Sequence, residues 1–312
     1  MNKTIISNLK CCPVCDSVNI FFHSNYRNKN HSFDNLSKFI CKDCNLVFSL
    51  PMPSQDKLDA YNMGYHQNAH GGYKRNPKLE AFFRGIAKTR LNTLVTKTGI
   101  KSSGSYTVLE IGPGPGVFAK EWKKQFPNSK YYAIETDTSL HDVLSKMGVY
   151  LLNNNKLSEF NSFFDFVIIS HVLEHVVDPK SFLKPYIQTL KENSILFVEV
   201  PCMDWKHKNL DEPHLLFFDK KSIGKLFETL ELKNLFTGYF GIKIKQLKNP
   251  LFKIYNQIME KLYYRGISFF NLKKGSLYKI LGSKTETNSV INFYPHIEQK
   301  VPAWWIRAIV KK

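Results

Sequence analysis

The cysteines near the amino terminus have the spacing of a metal site. Two Cys-x-x-Cys pairs occur early in the chain, formed by Cys12, Cys15, Cys41 and Cys44. Four thiolates at this spacing are typical of a tetrahedral structural zinc site, because they leave no open coordination position for chemistry. Asp16 and Asn45 follow the pairs, and both residue types tolerate the left-handed backbone that such turns often need. Cys11 is an alternative ligand to Cys12, whereas we expect Cys202 to be a small buried residue.

Disulfides and redox chemistry are the competing interpretations of the cysteines. We expect a cytoplasmic protein, and disulfides are rare in that reducing environment. A redox site would not require two pairs. Structural zinc is therefore the predicted role.

A glycine-rich loop is the second chemical feature. A β-forming apolar run from Val108 leads into Gly112, Gly114 and Gly116, and a helix is predicted from about Val117. Alternate glycines allow a tight turn and a close approach to a ligand. The spacing matches neither the dinucleotide fingerprint nor a P-loop, and the loop holds no basic residue, so a nucleoside with a small charged group fits better than a triphosphate. Glu110 could accept a bond from an ammonium group. By itself the loop also fits a plain strand-to-helix connection.

Glu135 strengthens the nucleoside interpretation. It ends the next predicted strand, Tyr131–Ile134, about 20 residues beyond the glycine turn. An acid at this place can accept hydrogen bonds from two ribose hydroxyls. Without the glycine loop, such a glutamate would be an ordinary surface residue.

Alternating strands and helices follow from Thr107 to the end of the chain. The continuous apolar run Phe166–Ile169 predicts a central parallel strand, covered on both faces. Helical spacing from Leu79 to Val95 predicts a helix that packs on this domain. We place the last strand, Trp305–Val310, at the edge. The result is a doubly wound α/β sheet with its ligand at the carboxyl ends of the strands.

Composition limits the class of protein. The chain has 312 residues, 43% of them apolar, and no uninterrupted apolar run of membrane length. The first ten residues lack the pattern of a secretion signal, so we expect a cytoplasmic location. A formal charge of +18 favours an anionic partner such as a nucleotide sugar, a phosphorylated glycan, nucleic acid or an acidic membrane surface.

The order of these motifs resembles class I S-adenosylmethionine (SAM)-dependent methyltransferases. It comprises the glycine loop, Glu135, Phe164–Val167 and His171–Pro179. The cysteine module with the prolines after it resembles the N-terminal zinc ribbon of one branch, which includes sugar methyltransferases of antibiotic and surface-glycan pathways. The segment Asp211–Phe218 is similar to one typical of the same branch. The resemblance covers about residues 11–240 and the last strand.

The resemblance implies a set of cofactor contacts. Glu110 through Gly116 would hold the methionine part of SAM, and Glu135 the ribose. Asn153 and Asn154 would meet the adenine edge, although many relatives have Asp where Asn153 stands. Ser170 and His171 would line the sulfonium end.

The methyl acceptor must lose a proton, and histidine suits that task because its pKa lies near working pH. The resemblance makes His175 and His214 the candidate bases, with Glu174 in the same catalytic group; alternatively, Glu174 and His175 only cap a helix. His171, Glu174 and His175 also have the i, i+3, i+4 spacing of a helical metal site, so bound Mg²⁺ is a secondary alternative.

Carbon-methylating sugar relatives carry a tyrosine before the histidine matching His214. This chain has none there, which favours an oxygen acceptor.

We therefore expect three parts: a zinc ribbon (1–55), a linker and helical lid (56–104) and a methyltransferase domain (105–312) with a specificity insertion (240–300). Residues 241–285 hold ten Lys or Arg and one acid. Their basic amphipathic pattern fits a cover over the acceptor pocket, a dimer interface or contact with a membrane surface or anionic polymer.

The predicted reaction is methylation of a sugar hydroxyl on a nucleotide-linked sugar or a surface-glycan precursor. RNA methylation, with the ribbon and the basic surface binding RNA, is the first alternative. Carbon methylation of a sugar is the second. A non-catalytic partner that keeps the fold is disfavoured by the intact glycine loop and Glu135.

Overall fold

The N-terminal module, residues 11–50, is built on an antiparallel sheet. A computed structural model describes residues 11–29, 31–62, 77–252, 254 and 298–312 of the chain. The first strands are β1 (Ile20–Asn25), β2 (Ser37–Cys41) and β3 (Val47–Leu50). Asp16 and Asn45 have φ angles of 58° and 67°, which confirms the left-handed turns predicted after each cysteine pair. Strand β3 has no counterpart in the sequence prediction.

Two helices lead from this module to the main sheet. They are α1 (Gln55–Asn62) and α2 (Pro77–Thr98). Helix α2 begins near the predicted position, because its apolar residues recur at helical spacing. Its residues Ala87, Leu91 and Leu94 are buried in the core beside the main sheet.

The main sheet is the doubly wound α/β sheet that the sequence predicts. Its seven strands are β4 (Thr107–Ile111), β5 (Lys130–Ile134), β6 (Tyr150–Leu151), β7 (Phe164–Ser170), β8 (Leu190–Pro201), β10 (Lys233–Lys243) and β11 (Ala303–Lys311). The short strand β9 (Leu216–Phe217) belongs to the other sheet. The spatial order is β10-β11-β8-β7-β4-β5-β6. Strands β4 to β8 of this sheet pair in parallel, and β11 pairs antiparallel to both of its neighbours.

Strand β7 shows why the apolar run of the sequence becomes a central strand. Its residues alternate between the two faces: Val167 and Ile169 enter one hydrophobic core, and Phe166 and Ile168 enter the other. All four are nearly or fully buried. A strand covered on both faces needs apolar residues at every position.

The edge position predicted for the last strand is wrong. β11 lies between β8 and β10 and pairs with both. Ile306, Ala308 and Val310 face one core and Ile309 the other, so both faces of the strand are covered. The sequence pattern indicates this double burial, but it cannot show which strands lie on either side.

The remaining helices connect the strands of the main sheet. They are α3 (Val117–Gln125), α4 (His141–Lys146), α5 (Pro179–Thr189), α6 (Lys220–Thr229) and α7 (Ile244–Leu247). The N-cap of α5 is Asp178, whose side chain accepts hydrogen bonds from the backbone of Lys180 and Ser181. Glu174 and His175 instead lie in a short 3₁₀ turn, Leu173–His175. The suggestion that they cap a helix is therefore wrong.

Strand β9 joins the two sheets of the molecule. It comes from the segment between β8 and α6, and it pairs with β3 of the N-terminal module. The first sheet thus has the order β1-β2-β3-β9. Sequence analysis identified this segment by resemblance only and did not predict its pairing.

Some predictions concern residues outside the described ranges. One is the cluster Tyr65, His66 and His70, which the sequence predicts to be either a lid over a substrate or an ordinary linker; the other is the amphipathic face from Tyr255 to Tyr263. The boundaries 1–55, 56–104, 105–312 and 240–300 stay predictions. Within the described ranges, every helix is too short or too polar to span a membrane.

Candidate functional site

The three loop glycines share a backbone conformation but differ in what surrounds them. Gly112, Gly114 and Gly116 have φ angles of 65°, 55° and 72°, a region that L side chains rarely adopt. A Cβ on Gly112 would lie 2.7 Å from Val172 Cγ2, and one on Gly116 would lie 2.4 Å from Met147 Cε. A Cβ on Gly114 would meet nothing within 4 Å. Gly112 and Gly116 therefore permit close packing, and Gly114 borders an open space.

Substituting two of these glycines should separate binding from stability. Gly114→Ala places a methyl group in the open space where a ligand would lie, so we expect ligand affinity to fall about tenfold. Its backbone strain costs about 1–2 kcal/mol of stability. Gly116→Ala drives its methyl group into Met147 and Leu144, and overpacking of this kind costs about 1–3 kcal/mol in addition to the strain.

Calorimetric titration with S-adenosylhomocysteine and chemical unfolding measure the two effects. Gly224→Ala is the matched control, since its Cβ meets nothing within 4 Å and it lies in α6 without positive φ. Equal ligand affinity for Gly114→Ala and the native chain would contradict a binding role for the loop.

Glu135 lies against the glycine loop. Its carboxylate accepts hydrogen bonds from the backbone N–H of Gly114 at 2.9 Å and of Asp137 at 2.9 Å. The side chain is half-buried. The structure thus brings together the loop and the acid that the sequence assigns to one ligand.

Glu110 is placed differently from the rest of the loop. It is buried, and it accepts a hydrogen bond from the Tyr131 hydroxyl at 2.7 Å. Burial raises the pKa of Glu110 from 4.5 to about 7. Its carboxylate lies on the α2 side of the sheet, with Tyr131 and Val108, so its predicted contact with the methionine part stays a prediction.

The raised pKa of Glu110 should appear in the pH dependence of stability. Because the folded state holds the proton more tightly than the unfolded state, stability falls as pH rises from about 4.5 to about 7 and then levels off. Between pH 5 and 7 this group should contribute a loss of about 2 kcal/mol. Glu110→Gln should flatten the slope, measured by urea unfolding at each pH. An identical slope in the variant would show that Glu110 is ionised at pH 5 in the folded protein.

The predicted adenine and sulfonium contacts lie at the ends of β6 and β7. Asn153 is exposed, and its Oδ1 accepts the N–H of Asn155; Oδ1 of Asn154 accepts the Tyr186 hydroxyl at 3.2 Å. The Ser170 Oγ is buried and has no hydrogen-bond partner among the described residues. A buried hydroxyl in that state calls for a ligand or water partner.

His171 is held between two buried carboxylates. Its backbone has φ of 57°, and its N–H donates to Glu199 O at 2.9 Å. Its Nε2 lies 3.0 Å from Glu199 Oε1, and its Nδ1 lies 3.3 Å from Glu174 Oε1. Burial opposes a charge on the ring, but the two carboxylates raise the pKa of His171 above its usual value. The two carboxylates thus make protonation of the His171 ring easier than in a free imidazole.

Glu199 anchors His171 to the core. Its carboxylate accepts hydrogen bonds from Arg307 Nε at 2.6 Å and from Arg90 Nε at 2.6 Å. Arg307 also donates to Thr89 and Thr93 of α2. A charged residue inside the apolar strand β8 was a visible signal of such a network, and sequence analysis missed it.

The histidines His175 and His214 meet beside Glu174. Their ring centroids are 4.8 Å apart, although 39 positions separate them in the numbering (214 minus 175). His214 Nδ1 lies 2.6 Å from Asp204 Oδ2, and His175 Nδ1 donates to Pro213 O at 3.3 Å. One ligand atom from each of Glu174, His175 and His214 lies within 4.8 Å of the others.

The groups of this cluster differ in their charge at neutral pH. Burial lowers the pKa of His175 to about 4, so it is neutral at pH 7. Burial opposes ionisation of Glu174, but His171 and His175 outweigh it and hold the pKa of that carboxyl at about 2. The pKa of Asp204 is also depressed, since His214 and Lys208 outweigh its burial. Asp204 and Glu174 thus flank the histidines as carboxylates.

The four predicted cysteine ligands converge in the N-terminal module. The Sγ atoms of Cys12 and Cys44 are 3.5 Å apart, as are those of Cys15 and Cys41, and all four lie within 4.8 Å of one another. The hydrogen-bond contact with Cys44 lowers the pKa of Cys12 to about 6. Tetrahedral zinc with Zn–S bonds of about 2.3 Å requires sulfur separations of about 3.8 Å, so the cluster fits a small zinc site.

A family model described as a methyltransferase domain matches residues 78–239, more than half of the chain. The chain belongs to this methyltransferase family.

Several solved methyltransferases resemble this methyltransferase at low identity. A SAM-dependent methyltransferase from Archaeoglobus fulgidus is 19% identical, with a TM-score of 0.47, covering 73% of this chain and 94% of its own. One from Thermotoga maritima is 15% identical, with a TM-score of 0.45 and coverages of 75% and 91%. Coclaurine N-methyltransferase, bound to N-methylheliamine and S-adenosylhomocysteine, is 12% identical, with a TM-score of 0.45 and coverages of 73% and 72%. No curated protein matches the sequence significantly.

The methyltransferase family implies SAM as the cofactor, and three residues at one edge of the main sheet are compatible with it. Gly114 borders open space, Glu135 stands beside it, and Ser170 presents an unpartnered hydroxyl among the described residues. These groups lie at the carboxyl ends of β4, β5 and β7, where doubly wound sheets bind ligands. The residues present therefore fit the cofactor.

Magnesium fits the histidine cluster poorly. The predicted set His171, Glu174 and His175 assumes a helix, and the structure has a 3₁₀ turn there instead, so that premise is wrong. The atoms that converge belong to Glu174, His175 and His214. Two imidazoles and one carboxylate suit a transition metal such as zinc or iron, whereas Mg²⁺ prefers oxygen ligands.

Proposed function

We propose that this methyltransferase transfers the methyl group of SAM to a hydroxyl of a nucleotide-linked sugar or surface-glycan precursor, with His214 as the general base. The observation that carries the proposal is the 2.6 Å contact between His214 Nδ1 and Asp204. An imidazole held in this way keeps its Nε2 available as a proton acceptor. Asp204 then stabilises the imidazolium that forms.

His214 suits the role better than His175. The pKa of His175 is lowered to about 4 by burial, and a base that weak removes a hydroxyl proton poorly. His175 also donates its Nδ1 proton to the carbonyl of Pro213 rather than to a carboxylate. We assign it to positioning the acceptor, with Glu174 supplying negative charge close to the developing imidazolium.

A short segment of the chain links the glycine loop to Glu174 and His175. Val172 packs directly over Gly112, and it belongs to the segment that continues into Glu174 and His175. Bound SAM supplies a methyl group on a positively charged sulfur. In-line transfer would need the acceptor oxygen on the side of the methyl carbon opposite the sulfur. The oxygen–carbon bond would form as the carbon–sulfur bond breaks, S-adenosylhomocysteine would leave, and the hydroxyl proton would pass to His214 Nε2.

The sugar acceptor rests on the resemblance and on charge. The segment Asp211–Phe218 is similar to one found in sugar methyltransferases with a zinc ribbon, and no tyrosine precedes His214 as it does in carbon-methylating relatives. The net charge of +18 suits an anionic acceptor such as a sugar linked to a nucleoside diphosphate. We also propose that the four-cysteine module binds zinc as a zinc ribbon and that the protein is cytoplasmic.

RNA methylation is the second candidate function, favoured by one surface feature. Phe21 and Phe22 are 52% and 60% exposed on β1, and Lys42 Nζ lies 5.7 Å from the centre of the Phe21 ring. Exposed aromatic rings with lysine beside them are typical of surfaces on which bases stack.

One experiment separates these acceptors. The protein is incubated with SAM carrying a ¹³C-methyl group, first with a panel of nucleotide-linked sugars and then with RNA. The ¹³C chemical shift of the product distinguishes methyl groups on oxygen, nitrogen and carbon. We expect an oxygen-linked signal from the sugar panel. Labelled RNA with unlabelled sugars would replace the sugar proposal, and a carbon-linked signal would replace the oxygen acceptor.

A further inference from the structure

We propose that Tyr26 is a positioning residue for His214, and that the N-terminal module holds the catalytic base in register with Asp204 and Glu174. The base assignment rests on the proposed function. The positioning itself rests on contacts between the module and the segment Asp211–Phe217.

The backbone of this segment is bonded to the module on both sides of His214. Ser49 N–H donates to Leu215 O at 2.9 Å, where β3 and β9 pair through Phe48 and Leu216. On the other side, Asp211 N–H donates to Arg27 O at 2.8 Å. The residues around His214 thus obtain backbone partners from a distant part of the chain.

Tyr26 contacts the base residue itself. Its hydroxyl donates to the backbone carbonyl of His214 at 2.9 Å, and its ring is buried and stacked at 6.1 Å from Phe33. Burial raises the pKa of Tyr26 far above its usual value, so the hydroxyl keeps its proton at every working pH. A buried donor with this fixed geometry limits where the His214 backbone can lie.

Asp211 fixes the start of the same segment through a buried ion cluster. Its carboxylate accepts from the Arg27 backbone at 2.8 Å and from Arg27 Nη2 at 2.5 Å, and it also contacts Lys38 Nζ. Asp211 and Lys38 are almost wholly buried. Buried ion pairs add little net stability because desolvation offsets their attraction, so their best-supported use is to select one arrangement.

The opposite side of the segment faces the catalytic cluster. Leu215 N–H donates to Glu174 O at 2.8 Å, and the His214 ring meets Asp204. The segment therefore lies between the module and the cluster. The module also contacts the turn that carries Asp204, because Arg27 Nη2 donates to Trp205 O at 2.8 Å. It therefore holds both partners of the His214–Asp204 contact, whereas the glycine loop and Glu135 make none of these contacts.

The test uses Tyr26→Phe in the full chain, with Tyr106→Phe as the matched control. The Tyr106 hydroxyl also donates to a backbone carbonyl, that of Lys101, far from the cluster. Proton NMR of ¹⁵N-histidine protein reports the His214 Nδ1 proton, which a 2.6 Å bond to a carboxylate moves far downfield. The resonance is assigned by its loss in His214→Gln. We expect it to shift or broaden in Tyr26→Phe and to stay unchanged in Tyr106→Phe.

Enzyme kinetics provide the second measurement. With the acceptor found in the ¹³C experiment, kcat of Tyr26→Phe should fall roughly threefold to tenfold, with KM and SAM affinity unchanged. In a His214→Ala background, Tyr26→Phe should cause no further loss. Lys38→Gln loosens Asp211 and should affect the resonance and kcat in the same way.

The outcomes separate the two proposals. An unchanged His214 resonance in both Tyr26→Phe and Lys38→Gln overturns the positioning role. A full further loss of kcat in the His214→Ala background also overturns it, since Tyr26 would then act elsewhere. If His214→Ala keeps its turnover while the resonance still shifts in Tyr26→Phe, the base assignment fails and the positioning of His214 stands.

Discussion

Replacing His214 with alanine should lower methyl transfer by about 10²–10⁴-fold. The variant removes the proton acceptor that Asp204 holds through Nδ1 at 2.6 Å. SAM affinity should not change, because the glycine loop and Glu135 lie on other strands. Asp204→Asn should cause a loss that approaches the same size, since the amide can hold the wrong tautomer of His214.

Single-turnover methyl transfer and calorimetric binding of SAM measure these two quantities. His31→Ala is the control histidine variant, because the side chain of His31 is almost fully exposed and pairs only with nearby Asp34 in the described residues. Turnover within threefold of the native rate would remove His214 as base. Recovery of the variant by added zinc or manganese would instead indicate that the cluster binds a metal.

Glu199→Gln should destabilise the protein by about 3–5 kcal/mol. Glu199 is fully buried and balances Arg307 and Arg90, each at 2.6 Å. The amide removes the negative charge and leaves Arg307, itself only 1% exposed, without an ionic partner. Uncompensated burial of a guanidinium is the physical cause of the loss.

Guanidinium-chloride unfolding measures this change. Glu228→Gln is the matched control, because Glu228 makes an exposed pair with Lys225 at 3.0 Å and should show no measurable effect. Replacing Glu199 and Arg307 together by leucine should cost less than the sum of the two single changes. A loss below 1 kcal/mol for Glu199→Gln would mean that the arginines find other partners or reach water.

The sequence indicates His214 and Glu199 by different signals, and it indicates the partners of neither residue. His214 was identified through a segment similar to that of sugar methyltransferases, while its partner Asp204 carries no spacing signal. Glu199 was recognisable as a charge within an apolar strand, but its partners Arg90 and Arg307 lie 109 and 108 positions away. Partners so far apart in the chain meet only through the packing of α2 and β11 against β8.

Local physical rules account for what could be predicted correctly. Apolar runs indicate buried strands because a strand covered on both faces has no solvent side. The turn at the glycine loop can be predicted because only glycine adopts positive φ without strain. The turns at Asp16 and Asn45 can be predicted because Asp and Asn tolerate the left-handed backbone. The interpretation of His171, Glu174 and His175 as a helical triplet failed, since only Glu174 and His175 lie in a 3₁₀ turn and His171 precedes it with a φ of 57°.

By itself the sequence determined the alternation of strands and helices, the glycine cradle with Glu135, and the four cysteines. These depend on residues near one another in the chain or on steric limits of single residues. Only the tertiary structure decided that β11 lies inside the sheet, that β9 joins the N-terminal module, and that Asp204, Glu174 and His175 surround His214. The physical reason is that strand pairing and buried charge pairing follow from the packing of distant segments, which no local pattern specifies.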